Sequence, residues 1–292
     1  MKILVAVDGS EYSQNALLMA AKLPFKDPQF QIIHVISPIS YDPNSVIKES
    51  IQDIKKFNAE LESQSNILLN NSLKIMQDRD RPASIETLIG HPAEVILKKS
   101  EESDLIIMGA RGLNPVASFF LGSVSDSIIN QAKCPVLLNR SASEASFDTP
   151  SILVGYDDTP SSRDACHFLK NFDPSKVNKV DLVCAVQLNF YYGMSHSLAA
   201  LEQWPSQKKS LEESMVATSR NIESFSKDFK VNTDVIYDAY SAADDLIEYA
   251  EKHHNDIIMV GSKGKSMIDR VFLGSTSTRL ASHANGAVLI VR

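Results

Sequence analysis

The amino-acid sequence predicts an α/β protein made of two tandem doubly wound domains, each a five-stranded parallel sheet of order 3-2-1-4-5 flanked by helices. Three observations carry that prediction. Apolar runs rich in Val and Ile alternate with helix-period segments, as in strands that a parallel sheet buries on both faces. The order of runs in the first half recurs in the second. Residues 104–125 (DLIIMGARGLNPVASFFLGSVS) also match residues 256–277 (DIIMVGSKGKSMIDRVFLGSTS) without a gap when 152 is added, with nine of the 22 positions identical. A length of 292 residues suits two such domains, read as 1–140 and 151–292.

Lys2–Asp8 (KILVAVD) is a continuous apolar run ending in a carboxylate, as expected of a strand covered on both faces. Gly9-Ser10 turns the chain into a helical pattern from Tyr12 to Leu23, stopped by Pro24. Gln31–Ile36 is the second strand. Asn44 to about Gln77 reads as a long helix, unbroken or interrupted near Ser63–Asn66. Ser84–Ile89 is the third strand, Gly90-His91-Pro92 a turn, and Ala93–Glu102 a helix. Leu105–Met108 leads into the glycine loop, a helix from about Ser123 to Ala132, and a last strand Pro135–Asn139. Polar, small residues at 141–150 read as a linker.

The second half repeats the plan with strand Ile152–Asp157, helix Ser161–Leu169, strand Asp181–Gln187 and a long helix from about Pro205 to Lys230. Strand Asn232–Asp238 and helix Asp244–Lys252 follow, then the second glycine loop, a helix and strand Ala287–Arg292. Gln187–Trp204 has no counterpart of equal length. Its Phe190, Tyr191, Tyr192 and Trp204 fit a lid, an interface or plain loop packing.

In each repeated stretch a buried strand enters Gly-x2-Gly, and nine residues later Gly-Ser opens a helix. Such a loop lets backbone N–H groups approach a phosphate, and the helix N-terminus adds unpaired donors and partial positive charge. A serine after the last glycine suits an N-cap. The alternative is that these glycines only make turns. GSKGKS (261–266) ends like a Walker A loop, but Met259 stands where its first glycine belongs, and no G-x-G-x-x-G opens a helix. The first strands and the fourth strands are neighbours in the order 3-2-1-4-5, so Asp8 and Asp157 should face the loop crevices.

Other chemistry is poorly supported. A net charge of −7 argues against a nucleic-acid surface. Cys134, Cys166 and Cys184 lack C-x-x-C spacing and read as core residues of a reducing compartment. His253-His254 lacks metal-ligand spacing, and no G-x-S-x-G elbow occurs. No apolar run is long enough for a membrane span, and the chain is read as cytoplasmic, without membrane insertion.

The strand ends ILVAVDGS and ILVGYDDT, the GHPAE turn at 90–94 and the twice-used G-x2-G-x9-G-[ST] loop resemble the universal stress protein family, and the whole chain resembles its tandem form. The loop signature is similar to that of the nucleotide-binding branch. The resemblance implies a stress-response regulatory protein holding ATP, with contacts from Ala6, Val7, Asp8, Val35, Met108, Gly109, Gly112, Gly122, Ser123, Val124 and Ser125. In the second half it implies Gly155, Tyr156, Asp157, Ala185, Val260, Gly261, Gly264, Gly274, Ser275, Thr276 and Ser277. Arg111 brings positive charge to the first loop, and Lys263 and Lys265 to the second; a solvated face is the alternative for both. Asp8 or Asp157 would help hold Mg²⁺ through the nucleotide. The alternatives are a slow Mg-dependent ATP hydrolase and a scaffold that binds no nucleotide.

The second half departs from the pattern. Asp158 stands for Gly9, Ser241-Ala242-Ala243 for the Gly90 turn, and Tyr156 for Val7, there to stack on a base or to narrow the pocket. Both halves are nevertheless expected to bind. The apolar last strands, 136–139 and 288–291, would be exposed edges, so they should pair with each other as a pseudo-dimer or with a second molecule as a homodimer.

Overall fold

The computed structural model describes residues 1–38, 48–113, 121–141, 147–186, 198–237, 241–264 and 273–292, with side chains left aside at 48–51 and 198–204. Strand β1 (Lys2–Ala6) leads through the turn at Gly9 to α1 (Glu11–Lys22), whose N-cap Ser10 accepts from the Ser13 N–H. Then come β2 (Gln29–Ile36), α2 (Lys48–Gln77), β3 (Ala83–Ile89), α3 (Pro92–Ser100), β4 (Leu105–Gly109), α4 (Ser123–Gln131) and β5 (Val136–Asn139). The second half supplies β6 (Ser151–Gly155), α5 (Pro160–Phe168), β7 (Lys179–Val186), α6 (Leu198–Phe225), β8 (Val231–Tyr237), α7 (Ala242–Lys252), β9 (Ile257–Gly261), α8 (Ser275–His283) and β10 (Ala287–Val291).

The strands form one ten-stranded sheet of order β3-β2-β1-β4-β5-β10-β9-β6-β7-β8. Each half thus has the predicted order 3-2-1-4-5 and parallel pairing throughout. The halves join where β5 meets β10 antiparallel, Leu138 opposite Val288 and Leu137 opposite Leu289. Both apolar edges are therefore consumed inside one chain, which is the expected pseudo-dimer. Two apolar layers cover the sheet. One packs α1, α2, α5 and α6 on one face, the other α3, α4, α7 and α8 on the opposite face, and each draws residues from both halves.

The junction also exchanges caps. Arg140, at the end of β5 and 9% exposed, donates from Nε to Ala284 O and from Nη1 to Ala281 O, both at 2.6 Å, at the C-terminus of α8. Arg292, 152 positions later, donates from Nη2 to Ile129 O at the C-terminus of α4. A cation there meets the negative end of the helix dipole and satisfies carbonyls that the helix leaves unpaired. Burial pushes the Arg140 pKa down to about 10, still well above neutral pH.

Three elements differ from the sequence reading. The long α2 helix is unbroken, because Ser65 at the suspected break is fully buried and bonds His34 Nδ1 at 2.9 Å and Thr87 Oγ1 at 2.8 Å. Pro205 lies inside α6 rather than at its start. Phe147 of the linker is buried at 4% in the core, so the end of that stretch is anchored. The expected helix start at Asn44 and the aromatics Phe190, Tyr191 and Tyr192 lie outside the described residues.

Asp181 on β7 is 2% exposed, and its carboxylate accepts from Lys179 Nζ at 2.7 Å and from Asn232 and Asn255 at 2.8 Å each. Burial works to raise its pKa, but the three donors outweigh burial and hold the carboxyl below the usual Asp value. A folded pKa below the unfolded one stabilises the fold fully above the unfolded value of about 3.9, and that contribution is lost as pH falls through the folded value. Asp181→Asn should therefore lower the urea midpoint at neutral pH and do so less in acid, once the pH has fallen through the folded value. An equal loss at both would show that packing, not charge, is what Asp181 contributes.

Candidate functional site

The order β2-β1-β4 makes the gap between β1 and β4 the switch point of the first half, because crossovers leave those strands in opposite directions. Beyond their carboxyl ends lies a cavity of about 300 Å³. It brings together all twelve first-half candidates: Ala6, Val7 and Asp8 from β1 and its end, Val35 from β2, Met108 and Gly109 from β4, Arg111 and Gly112 from the loop, and Gly122, Ser123, Val124 and Ser125 at the start of α4. Sequence reasoning missed Ser13, Ile33, His34, Pro92 and Ile96 in the same wall. Pro92 sits in the quoted GHPAE turn and His34 directly before Val35, so adjacency to flagged residues was the available signal.

Asp8 organises the polar end. Its Oδ1 accepts from the Ser10 N–H at 3.0 Å and the Ser10 hydroxyl at 2.6 Å, while a Cβ placed on Gly112 would lie only 2.9 Å from Oδ2. Gly112 is thus glycine because the carboxylate fills the side-chain space. Gly109 has a different reason. A Cβ there would lie 2.7 Å from the Tyr12 carbonyl carbon and 2.8 Å from Ser13 N, so glycine lets α1 press against β4. The second half repeats the Asp turn and the close approach of α5, but not the carboxylate contact, since a Cβ on Gly264 would lie 3.5 Å from Asp157 Oδ2. Asp157 Oδ1 accepts from the Thr159 hydroxyl at 2.6 Å, and a Cβ on Gly261 would lie 2.5 Å from Ser161.

Gly122 is unlike these two. It is the N-cap of α4 with φ −66° and ψ 150°, a conformation open to any residue, and among the described residues a Cβ there would meet nothing closer than 3.5 Å. It gives the helix no side-chain cap, so the first-turn N–H groups face the cavity without one. The expected serine cap is therefore the glycine itself, and Ser123 is the first helical residue. Ser125 turns inward and donates to Gly109 O at 3.0 Å, as Ser277 does to Gly261 O at 2.8 Å. Arg111 lies against Tyr12, bonded to its hydroxyl at 2.7 Å with the guanidinium 5.1 Å from the ring centre.

Behind the cavity, His34 is held on the α2 side by Ser65. Burial lowers its pKa, and the Asp8 carboxylate pushes the other way. In the second half Tyr156 turns its hydroxyl toward α6. It is 3% exposed in the α5–α6 layer, where its hydroxyl meets Asp158 Oδ1 at 2.7 Å, Ser214 at 3.0 Å and Thr218 at 3.1 Å. Asp158 occupies the left-handed turn position of Gly9, φ +62° against +81°, which Asp tolerates better than most residues. Gly264, Gly274, Ser275 and Thr276 hold the same places as their first-half counterparts, Lys263 is half-buried at the loop, and Lys265 lies outside the described residues.

The three cysteines are buried and none of them forms a disulfide. Burial raises the Cys134 thiol and lifts Cys166 to about 12, so neither is a ready thiolate. Adding reductant should leave ligand affinity and melting temperature unchanged. A shift in either would reveal a disulfide formed in solution. Among the described residues no group of three or more His, Cys, Asp and Glu side chains is placed to hold a metal ion, and no helix is long and apolar enough to cross a membrane.

A repeated doubly wound sheet with a glycine-loop crevice at its switch point places the chain among α/β proteins built by duplication. More narrowly, it belongs to the universal stress protein family, whose family model matches residues 1–140 and again 149–292. A universal stress protein of Mycolicibacterium smegmatis is 25% identical over 298 residues, covering 99% of this chain and 96% of its own. A Thermus aquaticus relative, "Universal stress protein in QAH/OAS sulfhydrylase 3'region", is 32% identical over 146 residues, 47% of this chain and 97% of its own. The crystal structure of a universal stress protein from Archaeoglobus fulgidus superposes with a TM-score of 0.70 at 18% identity, covering 100% of this chain and 98% of that one, a likeness of fold.

Proposed function

We propose that the first-half crevice binds an adenine nucleotide, and that occupancy rather than turnover is the protein's output in a cytoplasmic stress response. The observation that carries this reading is Gly122. Packing accounts for Gly109 and the Asp8 carboxylate crowds Gly112, but nothing among the described residues calls for glycine at the α4 N-cap. A phosphate seated on the first-turn N–H groups of Ser123, Val124 and Ser125 would call for it, because any side chain at 122 would stand in its path. Apolar Ala6, Val35, Met108 and Ile96 at the other end of a cavity of about 300 Å³ suit a flat, weakly polar base. Val7 lines the wall as well.

Mg²⁺ fits this arrangement as a companion of the phosphates. Asp8 Oδ2 is a hard carboxylate oxygen beside Gly112, while Oδ1 is held by Ser10. The ion would supply charge neutralisation; the protein's own part is to position Asp8. Equilibrium dialysis against ATP, followed by assay of released phosphate over hours, tests the reading. Retained, unhydrolysed nucleotide is the expected result. Phosphate release that keeps pace with binding would favour the hydrolase, and no retention would leave a scaffold.

A further inference from the structure

We propose that the chain holds one nucleotide per molecule, in the first half, because the base end of the second crevice is closed by its own side chains. The inference rests on the nucleotide reading above. The strand registers pair Ala6 with Ile33 and Met108, and Gly155 with Val183 and Val260, so the two walls can be matched residue for residue. The polar end carries the same residue types in both: Asp157, Gly264, Gly274 and Ser277 stand for Asp8, Gly112, Gly122 and Ser125. The base end does not. Gly155, Val183, Ala185 and Val260 stand for Ala6, Ile33, Val35 and Met108, each smaller than its counterpart.

Among the described residues, the space trimmed at Gly155 is refilled. Val260 Cγ1 and Leu246 Cδ1 stand 2.9 and 3.0 Å from where a Cβ on Gly155 would lie, so they fill the volume that the Ala6 methyl takes in the first half. Leu273 is 7% exposed and joins Leu246, Val183 and Val260 in one apolar cluster, whereas its counterpart Leu121 is only partly buried against that layer. Apolar walls close to crystal-like density wherever nothing keeps them apart. To admit a base between Ala185 and Val260, α7 would have to lift its Leu246 off β6 and β9.

The turn beside this wall is also fastened. Asp158 Oδ1 is bonded to Tyr156, to Ser214 of α6 at 3.0 Å and to Arg163 at 2.7 Å, while Gly9 brings no side chain to the matching turn. Burial works to raise the Asp158 pKa, and the bonds from Arg163, Tyr156 and Ser214 outweigh it and hold the carboxyl low. The turn at Asp158 is therefore tied to α5 and α6 by side-chain bonds that Gly9 cannot make.

Calorimetric titration of the full chain with ATP tests the inference. One equivalent is expected, and none in a Gly122→Asp variant whose circular dichroism shows it folded. Two equivalents for the wild type, or one surviving in that variant, would overturn it. No binding to the wild type would instead overturn the nucleotide reading itself. A measurement free of substitutions reads the same point. In methyl NMR, ATP should shift the Met108 methyl and leave the Val260 methyls within their line widths, and equal shifts at both would refute a single site.

Discussion

Gly122→Asp is expected to weaken ATP binding by roughly 4 kcal/mol, about a thousandfold in Kd, without weakening the fold. The loss is the repulsion of unit charges about 4 Å apart in a medium of effective dielectric constant near 20. The fold should hold because φ −66° suits Asp and the nearest described atom to the new Cβ, the Arg111 Cα, lies 3.5 Å away. Asp is also a better N-cap than glycine by a few tenths of a kcal/mol, and it sits at the positive end of the helix dipole. Calorimetry and urea denaturation on the same samples therefore read opposite signs, affinity down and stability level or slightly up. A variant that loses both would mean Gly122 is held by the fold rather than by a ligand.

The second large effect lies at the junction of the halves. Arg140→Met keeps most of the apolar stem but removes two charge-assisted bonds to the α8 carbonyls of Ala281 and Ala284. Bonds to charged groups contribute about 1.5–3 kcal/mol each, and a carbonyl left buried without a donor adds its desolvation cost, so a loss of at least about 3 kcal/mol is expected. Arg140→Lys should recover less than half, since an ammonium lacks the planar fork that reaches two carbonyls at once. Urea midpoints with unchanged slopes would measure it. Full rescue by Lys would show that charge alone matters there.

Elements set by periodicity and by the repeat were legible from the residues. The runs KILVAVD and ILVGYD could only be strands buried on both faces, and the ungapped match of 104–125 with 256–277 carried the strand order from one half to the other. Elements decided by tertiary partners were not. Ser65 looked like a helix interruption because a serine is polar, and its burial against His34 and Thr87 is invisible one residue at a time. Tyr156 looked like a base-stacking candidate, but residues α6 supplies 58 and 62 positions later, Ser214 and Thr218, take its hydroxyl.

The glycines give the sharper lesson for the site. Gly109, Gly112 and Gly122 read alike in the sequence, all three as backbone meant for a phosphate. In the fold the first is required by the approach of α1 and the second by the Asp8 carboxylate. Only the third is left for a ligand to explain. A missing side chain in a sequence says that something comes close, not what it is.

Crystals grown with saturating ATP and Mg²⁺ test the central claim most directly. The account predicts a phosphate within hydrogen-bonding distance of the N–H groups of Ser123, Val124 and Ser125, the base against Val35 and Met108, and the Asp8 carboxylate on the side of the metal. An empty crevice under those conditions, or a nucleotide ordered elsewhere on the molecule, would contradict it.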